Sequence, residues 1–227
     1  MHIIILAGLV LLIIFGPQLW AKRTFSKYNR RLEHLPGSGG ELARHLLDRF
    51  HLTEVKVETT DQGDHYDPTT KTVRLTQNVF QGQSLTAVAI AAHEVGHAIQ
   101  DRDGHPMLKL RTRLVGFAKR SEQIGSLIIL SAPIVTTISR APGIGILMFV
   151  AGVGTIFLQT LVHLITLPVE WDASFGKALP ILKEGYISEK EQAAAEKILK
   201  AAAFTYVAGS LGSLLNLWRW IRVLRPR

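Results

Sequence analysis

Two histidines four residues apart, with a glutamate directly after the first, are the residues here best suited to chemistry: His93-Glu94-Val95-Gly96-His97. On an α-helix, positions i and i+4 lie one above the other on a single face. His93 and His97 can therefore each offer a ring nitrogen to the same metal ion. Glu94 falls on the adjacent flank, where its carboxylate can reach a water held by that ion. This is the physical content of the H-E-x-x-H pattern. Zinc lowers the pKa of a bound water to about 7 and polarises a peptide carbonyl, and a nearby glutamate accepts the proton and passes it on. The flanks Ala87-Val88-Ala89-Ile90-Ala91-Ala92 and Ala98-Ile99 are apolar and free of proline, which predicts a largely buried helix. Two histidines and a glutamate left unpaired in such a run would be costly. The competing reading is a pair of hydrogen-bonded core histidines. Gly96 is a weaker helix former than alanine by about 1 kcal/mol, so a close neighbour is expected to pack against the helix there.

A catalytic zinc takes three protein ligands and keeps one position for water. The chain has no cysteine, so the third ligand must be histidine or carboxylate. Four candidates present themselves. Asp103 stands where the metzincin pattern places its last ligand, but Gln100 replaces the glycine that turns that chain back. His105 belongs to the turn Asp103-Gly104-His105-Pro106. His163 is an ionisable side chain inside an apolar run, which marks it for attention. Glu170 follows Pro168, a residue suited to the first turn of a helix. Glu170 is preferred on topology. If 124–138 and 143–167 form a hairpin, Glu170 returns to the membrane face that carries His93 and His97. Asp172 or Ser174 would then orient a ligand imidazole; a charge at a helix start is the alternative for Asp172.

The elements that must position these groups can be placed coarsely. Ser84 offers an N-cap for a helix running through Leu85, Val88, Ala92 and Val95 to about Gln100, without a capping box because Ala87 occupies N3. The breaker cluster Leu35-Pro36-Gly37-Ser38-Gly39-Gly40 precedes Leu42, His45, Leu46 and Phe50 at helical spacing. Val55 and Val57, then Val73 and Leu75, alternate with polar residues as strands do. Between them Asp61-Gln62-Gly63-Asp64 is a turn, followed by His65-Tyr66-Asp67-Pro68. A small antiparallel sheet beside a helix is the expected assembly. Ser188-Glu189-Lys190-Glu191 is a capping box that starts a later helix.

Hydrophobic residues make up 47% of the 227 and the mean hydropathy is +0.20, despite 19% charged residues. Long apolar segments alternating with a polar domain reconcile these values. The runs are Ile3–Trp20, Ile124–Ile138, Gly143–Leu167 and Phe204–Trp218, of which the second contains Pro133. Lys22 and Arg23 follow the first run and only Met1 and His2 precede it, which favours a retained anchor over a signal peptide. Much of the net charge of +8 sits beside apolar runs, at Lys22, Arg23, Lys27, Arg30 and Arg31 for example. That pattern suits a membrane surface, and no aromatic-interleaved basic motif for nucleic acid stands out. The expected class is a mainly helical α+β membrane protein with three to four transmembrane helices. Its parts are an anchor (1–21), a zincin-like domain (22–120), a transmembrane hairpin (121–168), a third-ligand region (169–202) and a last spanning or interfacial helix (203–227). The catalytic domain would face the cytoplasm, and the family resemblance that follows implies a bacterial inner membrane. Arg219, Arg222, Arg225 and Arg227 fit that orientation only if the fourth segment does not fully cross.

Several stretches resemble one family. They are Asp64-His65-Tyr66-Asp67-Pro68, Val73-Arg74-Leu75, Ala91-Ala92-His93-Glu94-Val95-Gly96-His97-Ala98-Ile99-Gln100 and Leu167-Pro168-Val169-Glu170. They are similar to the bacterial YugP-type neutral zinc metallopeptidases over nearly the whole chain. More distantly the chain resembles the HtpX membrane proteases and the CAAX-prenyl peptidases, gluzincins with a glutamate as third ligand. The resemblance implies one Zn2+ per chain on His93, His97 and Glu170, with Glu94 as general base, and a protein or peptide substrate. Those relatives carry an acidic residue four positions after the ligand glutamate; Ser174 stands there in this chain, with Asp172 two residues earlier. By zincin analogy, Thr72–Thr76, with Val73, Arg74 and Leu75, would be an edge strand that binds substrate. His65 and Tyr66 would supply a donor to the oxyanion, unless Asp64–Pro68 is only a structural turn. The expected function is a membrane-bound endopeptidase acting on membrane or membrane-proximal proteins. Two alternatives are a membrane scaffold with a structural zinc closed by Asp103, His105 or His163, and a small transporter using Gln159, His163 and Asn216.

Overall fold

A computed structural model describes residues 2–205. Met1 and residues 206–227 lie outside it, as do most side chains of 2–14, that of Lys119 and several between 156 and 164. The chain opens with helix α1 (His2–Lys27), which continues past the apolar run through Lys22 and Arg23. Helix α2 (Gly39–Arg49) starts at a full capping box: the Ser38 hydroxyl accepts from the Glu41 amide and the Glu41 carboxylate accepts from the Ser38 amide. Each cap satisfies a backbone N–H that the first turn cannot. Ala43, Leu46 and Leu47, at helical spacing, are fully buried.

The sheet corrects three expectations. Strands β1 (Lys56–Thr59), β2 (His65–Asp67) and β3 (Thr72–Leu75) lie in the order β1-β3-β2. β1 runs parallel to β3, with Val57 opposite Val73, and β2 runs antiparallel to β3, with Tyr66 also opposite Val73. The sheet is therefore mixed, not antiparallel. His65–Asp67 is a strand and not part of a turn. A parallel pair needs a crossover, and the intervening strand β2 supplies it here, leaving β3 in the middle. Both sides of β3 are hydrogen-bonded, so Thr72–Leu75 offers no open edge to a substrate strand. The open edges belong to β1 and β2.

After the short helix α3 (Gln77–Phe80) comes α4 (Leu85–Arg102), capped as expected by the Ser84 hydroxyl, which accepts from the Ala87 amide at 3.1 Å. Every residue from Leu85 to Gln100 is buried. Helix α5 (Pro106–Ser139) joins the basic stretch and the second apolar run without a break, and α6 (Pro142–Trp171) follows after two residues. A π-helix (Asp172–Ala178), helix α7 (Leu179–Lys183) and a helix over 189–205 complete the described chain.

The chain divides into two compact units. One comprises 17–109 and 167–205 and contains the sheet, α2, α3, α4, the π-helix and α7. Its core joins Leu46 and Leu47 of α2, Val73 and Leu75 of β3, Val95 of α4, and Leu182, Ile198 and Leu199. The described part of the other comprises 2–16 and 110–166. Within it α5 and α6 approach closely at glycines: a Cβ at Gly152 would overlap Ile129, and one at Gly125 would overlap Thr155. Large apolar side chains are exposed along both helices, Leu127 and Ile138 on α5 and Ile146 and Leu147 on α6 among them. Among the described residues one helix, α5, is long and apolar enough to cross a membrane, and Pro142–Thr155 is a shorter apolar helical stretch.

Candidate metal centre

Helix α4 places His93 and His97 one turn apart, with ring centroids separated by 4.8 Å and planes at 79°. Against them stands Glu170, in the last turn of α6 and fully buried. Its Oε2 lies 3.2 Å from His93 Nε2 and 3.1 Å from His97 Nε2. The three potential ligand atoms all fall within 4.8 Å of one another. Around a tetrahedral zinc with bonds of about 2.0–2.1 Å, ligand atoms stand about 3.3 Å apart. The spacing fits such an ion.

The surrounding hydrogen bonds decide where the protons are. Ser174 Oγ donates to the Leu199 carbonyl at 3.2 Å, so at 3.0 Å from His93 Nδ1 it accepts a hydrogen bond from that ring's N–H. Gln100 Nε2 donates to the Val169 carbonyl at 2.9 Å and to Asp172 Oδ2 at 2.8 Å, which fixes the orientation of the amide. Its Oε1 then accepts from His97 Nδ1 at 2.9 Å. Both imidazoles therefore hold a proton on Nδ1 and turn Nε2 towards Glu170. Without a cation, bonding either Nε2 to the carboxylate would require a buried imidazolium. A single divalent cation lets both rings stay neutral and satisfies all three acceptors at once.

Local backbone geometry makes this approach feasible. A Cβ at Gly96 would stand 2.8 Å from the Ala173 carbonyl oxygen, so the π-helix lies directly against α4 at the one residue without a side chain. That is the close neighbour the glycine predicted. Within the π-helix the Leu179 amide bonds back to the Ser174 carbonyl, a wider turn than an α-helix makes. Ala173 and Ser174 are thereby both turned into the protein, one against Gly96 and the other against His93.

The remaining sequence candidates sort by their partners. Glu94 is buried on α4 beside His93. Asp172 touches no ligand imidazole; it acts one step back, through Gln100. His65 Nδ1 bonds to the Gly63 carbonyl, and the Tyr66 hydroxyl donates to Asp101 Oδ2 at 2.8 Å, so that proton is committed away from an oxyanion. Burial and this bond push the Tyr66 phenol up. Arg74 pairs with Asp67 at 2.8 Å and holds the Asp67 carboxyl low in spite of its partial burial. Val73 and Leu75 are fully buried core residues. Asp103 is bound by Arg102 and Lys177 and stands outside the cluster, as does His105. His163 lies on α6 with its side chain outside the described set, and Asn216 lies beyond the described residues. Gln100 was not singled out as a supporting residue by the sequence. Its signal was a polar side chain three residues after His97 in an otherwise apolar stretch.

Comparison with known proteins gives the family. The chain belongs to the family described as putative neutral zinc metallopeptidase, whose model matches residues 3–225. It is 37% identical over 211 residues to a Bacillus subtilis (strain 168) protein named putative membrane protease YugP, covering 92% of this chain and 90% of that one. No solved structure matches.

Proposed function

We propose that this chain is a membrane-bound endopeptidase of gluzincin type that carries one zinc ion on His93, His97 and Glu170. The observation that carries the reading is the convergence of three acceptor atoms, two of them ring nitrogens whose partner nitrogens are already committed as donors. When bound, zinc supplies a Lewis acid that activates water and polarises the scissile carbonyl. Glu94 accepts the proton of the attacking water and delivers it to the leaving amine. Ser174 and Gln100 hold the imidazoles in the required tautomer throughout, and Glu170 contributes a negative charge that needs no proton transfer of its own. Glu170 stands three residues beyond the apolar run Gly143–Leu167, about 4.5 Å along a helix. That supports substrates in or next to the membrane, cleaved on the cytoplasmic side where Lys22, Arg23 and Lys27 gather. The alternative, a scaffold with a closed structural zinc, requires a fourth ligand. Among the described residues Asp103 is engaged by two cations, which favours the open site.

The test has two parts. Elemental analysis of the detergent-purified protein is expected to find one zinc per chain, lost or sharply weakened in Glu170→Ala. Glu94→Gln is expected to keep the zinc and lose about 10²–10⁴-fold in proteolysis, the usual contribution of a general base. Cleavage by Glu94→Gln at the wild-type rate would sink the enzymatic role, and full zinc retention in Glu170→Ala would move the third ligand elsewhere.

A further inference from the structure

We propose that a half-exposed aromatic cluster beside Glu170 seats in the headgroup layer of an anionic lipid bilayer and holds the His93–His97–Glu170 cluster at the membrane surface. The cluster comes from three separate segments. Trp171 stacks on Phe175 with ring centroids 4.3 Å apart, and Phe204 meets Trp171 at 6.5 Å and Trp20 at 6.3 Å. Trp20 remains 41% exposed and Trp171 46%, a large aromatic surface for a folded protein to leave uncovered.

What covers it follows from where each segment goes next. The apolar run Ile3–Trp20 ends at Trp20, the run Phe204–Trp218 begins at Phe204, and the run Gly143–Leu167 ends four residues before Trp171. In two of the three segments basic residues lie along the chain on the side of the ring away from the apolar run, whereas Asp172 follows Trp171 and Lys177 comes six residues after it. Arg23 and Lys27 follow Trp20 by three and seven residues, and Lys200 and Lys197 precede Phe204 by four and seven. Those spacings keep each basic pair on the same helix face as its aromatic residue, and all four basic residues are exposed. Hydrocarbon, then aromatic ring, then cation is the order in which a chain leaves a bilayer, because aromatic rings suit the headgroup level and Lys and Arg suit anionic lipid beyond it. A protein partner or a second copy could cover one such ring. Neither explains why all three segments turn apolar at it. Adjacent Cα atoms are about 3.8 Å apart, so Trp171 in the headgroups brings Glu170 there too. This seating rests on the membrane-bound part of the proposed function and not on what the metal centre catalyses.

The 227-residue chain has four tryptophans: Trp20, Trp171, Trp218 and Trp220. Replacing the other three with phenylalanine leaves Trp171 as the only emitter. The variant is placed one copy per nanodisc, in phosphatidylcholine containing about one third phosphatidylglycerol. Nitroxide quenchers are carried on the headgroup or deep in the acyl chain. Strong quenching by the headgroup probe, at least about twofold above the deep probe by the depth order of interfacial aromatics, is expected. No quenching by either lipid probe would mean that water or another protein covers the surface. Stronger quenching by the deep probe would place Trp171 inside the hydrocarbon. Either result overturns the proposal. The companion that leaves Trp20 as the sole tryptophan must give the same depth, because the two rings share Phe204. Zinc content and proteolysis are read separately, so failure of the peptidase reading would leave this result standing.

Discussion

Helices α4 and α5 are both dominated by apolar residues, yet they treat their polar side chains in opposite ways. On α4 every residue from Leu85 to Gln100 is buried, and its polar groups reach out to other elements: His93 to Ser174 and Glu170, Gln100 to Val169 and Asp172. On α5 Leu127 is 67% exposed and Ile138 79%, and its hydroxyls turn inward to their own backbone. Ser131 bonds to the Ile128 carbonyl, Thr136 to that of Ala132 and Thr137 to that of Pro133. A protein neighbour can supply a polar partner at one fixed place, so a helix surrounded by protein can carry chemistry. Surroundings of hydrocarbon supply none, and each polar group must then be satisfied within its own helix.

The comparison breaks first, and most visibly, at Gln100. If α4 works through partners on other elements, Gln100→Leu leaves His97 Nδ1 and the Asp172 carboxylate without their shared amide. Loss of such a supporting bond weakens metal binding by about 10–100-fold. Competition with a chromophoric chelator would measure it, and the visible spectrum of a cobalt-substituted sample should change as the His97 ring reorients. An unchanged affinity would show that packing alone holds the ring.

Two glycines sharpen the contrast at smaller amplitude. Gly96 on α4 faces the Ala173 carbonyl at 2.8 Å from where a Cβ would be, whereas a Cβ on Gly116 of α5 would meet nothing within 4 Å. Gly96→Ala must push the π-helix away and is expected to destabilise by about 1–3 kcal/mol, as overpacking does. Gly116→Ala meets no obstacle and gains helix propensity, a stabilisation of about 0.5–1 kcal/mol. Thermal unfolding of the two variants in the same detergent should therefore shift in opposite directions. A drop for both would mean that α5 has a neighbour at Gly116.

Much of α4 was legible in the sequence because its signals are local. The Ser84 cap, the proline-free apolar run, the H-E-x-x-H spacing and the anomalous Gly96 all lie within 14 residues, and the structure shows the cap and the close neighbour. Glu170 was reached by another route: the expected hairpin would return the chain to the side of His93 and His97, and Glu170 stands against both rings. Gln100 was not, since its partners Val169 and Asp172 are some 70 residues away and nothing near it announces them. The π-helix was equally hidden, because Asp172–Ala178 has the composition of an ordinary helix and its wider turn answers to packing against Gly96. The parallel pairing of β1 with β3 failed to show because β2 is three residues long, too short for alternation to distinguish a strand from a turn.

The smallest expected effect bears on what surrounds α5. Leu127 sits on its outward face at 67% exposure, and Leu46 on α2 is fully buried. Leu46→Ala should destabilise by about 2–5 kcal/mol, because the cavity it leaves adds to the lost burial. Leu127→Ala leaves no cavity if lipid or detergent covers the face, since a fluid closes over the missing atoms, and the change should stay within about 0.5 kcal/mol. If Leu127→Ala behaved like Leu46→Ala in a bilayer, the outward face of α5 would have to pack against protein. Its run of exposed Ile124, Leu127, Leu130, Ile134 and Ile138 would then mark a helix–helix contact and not a lipid boundary.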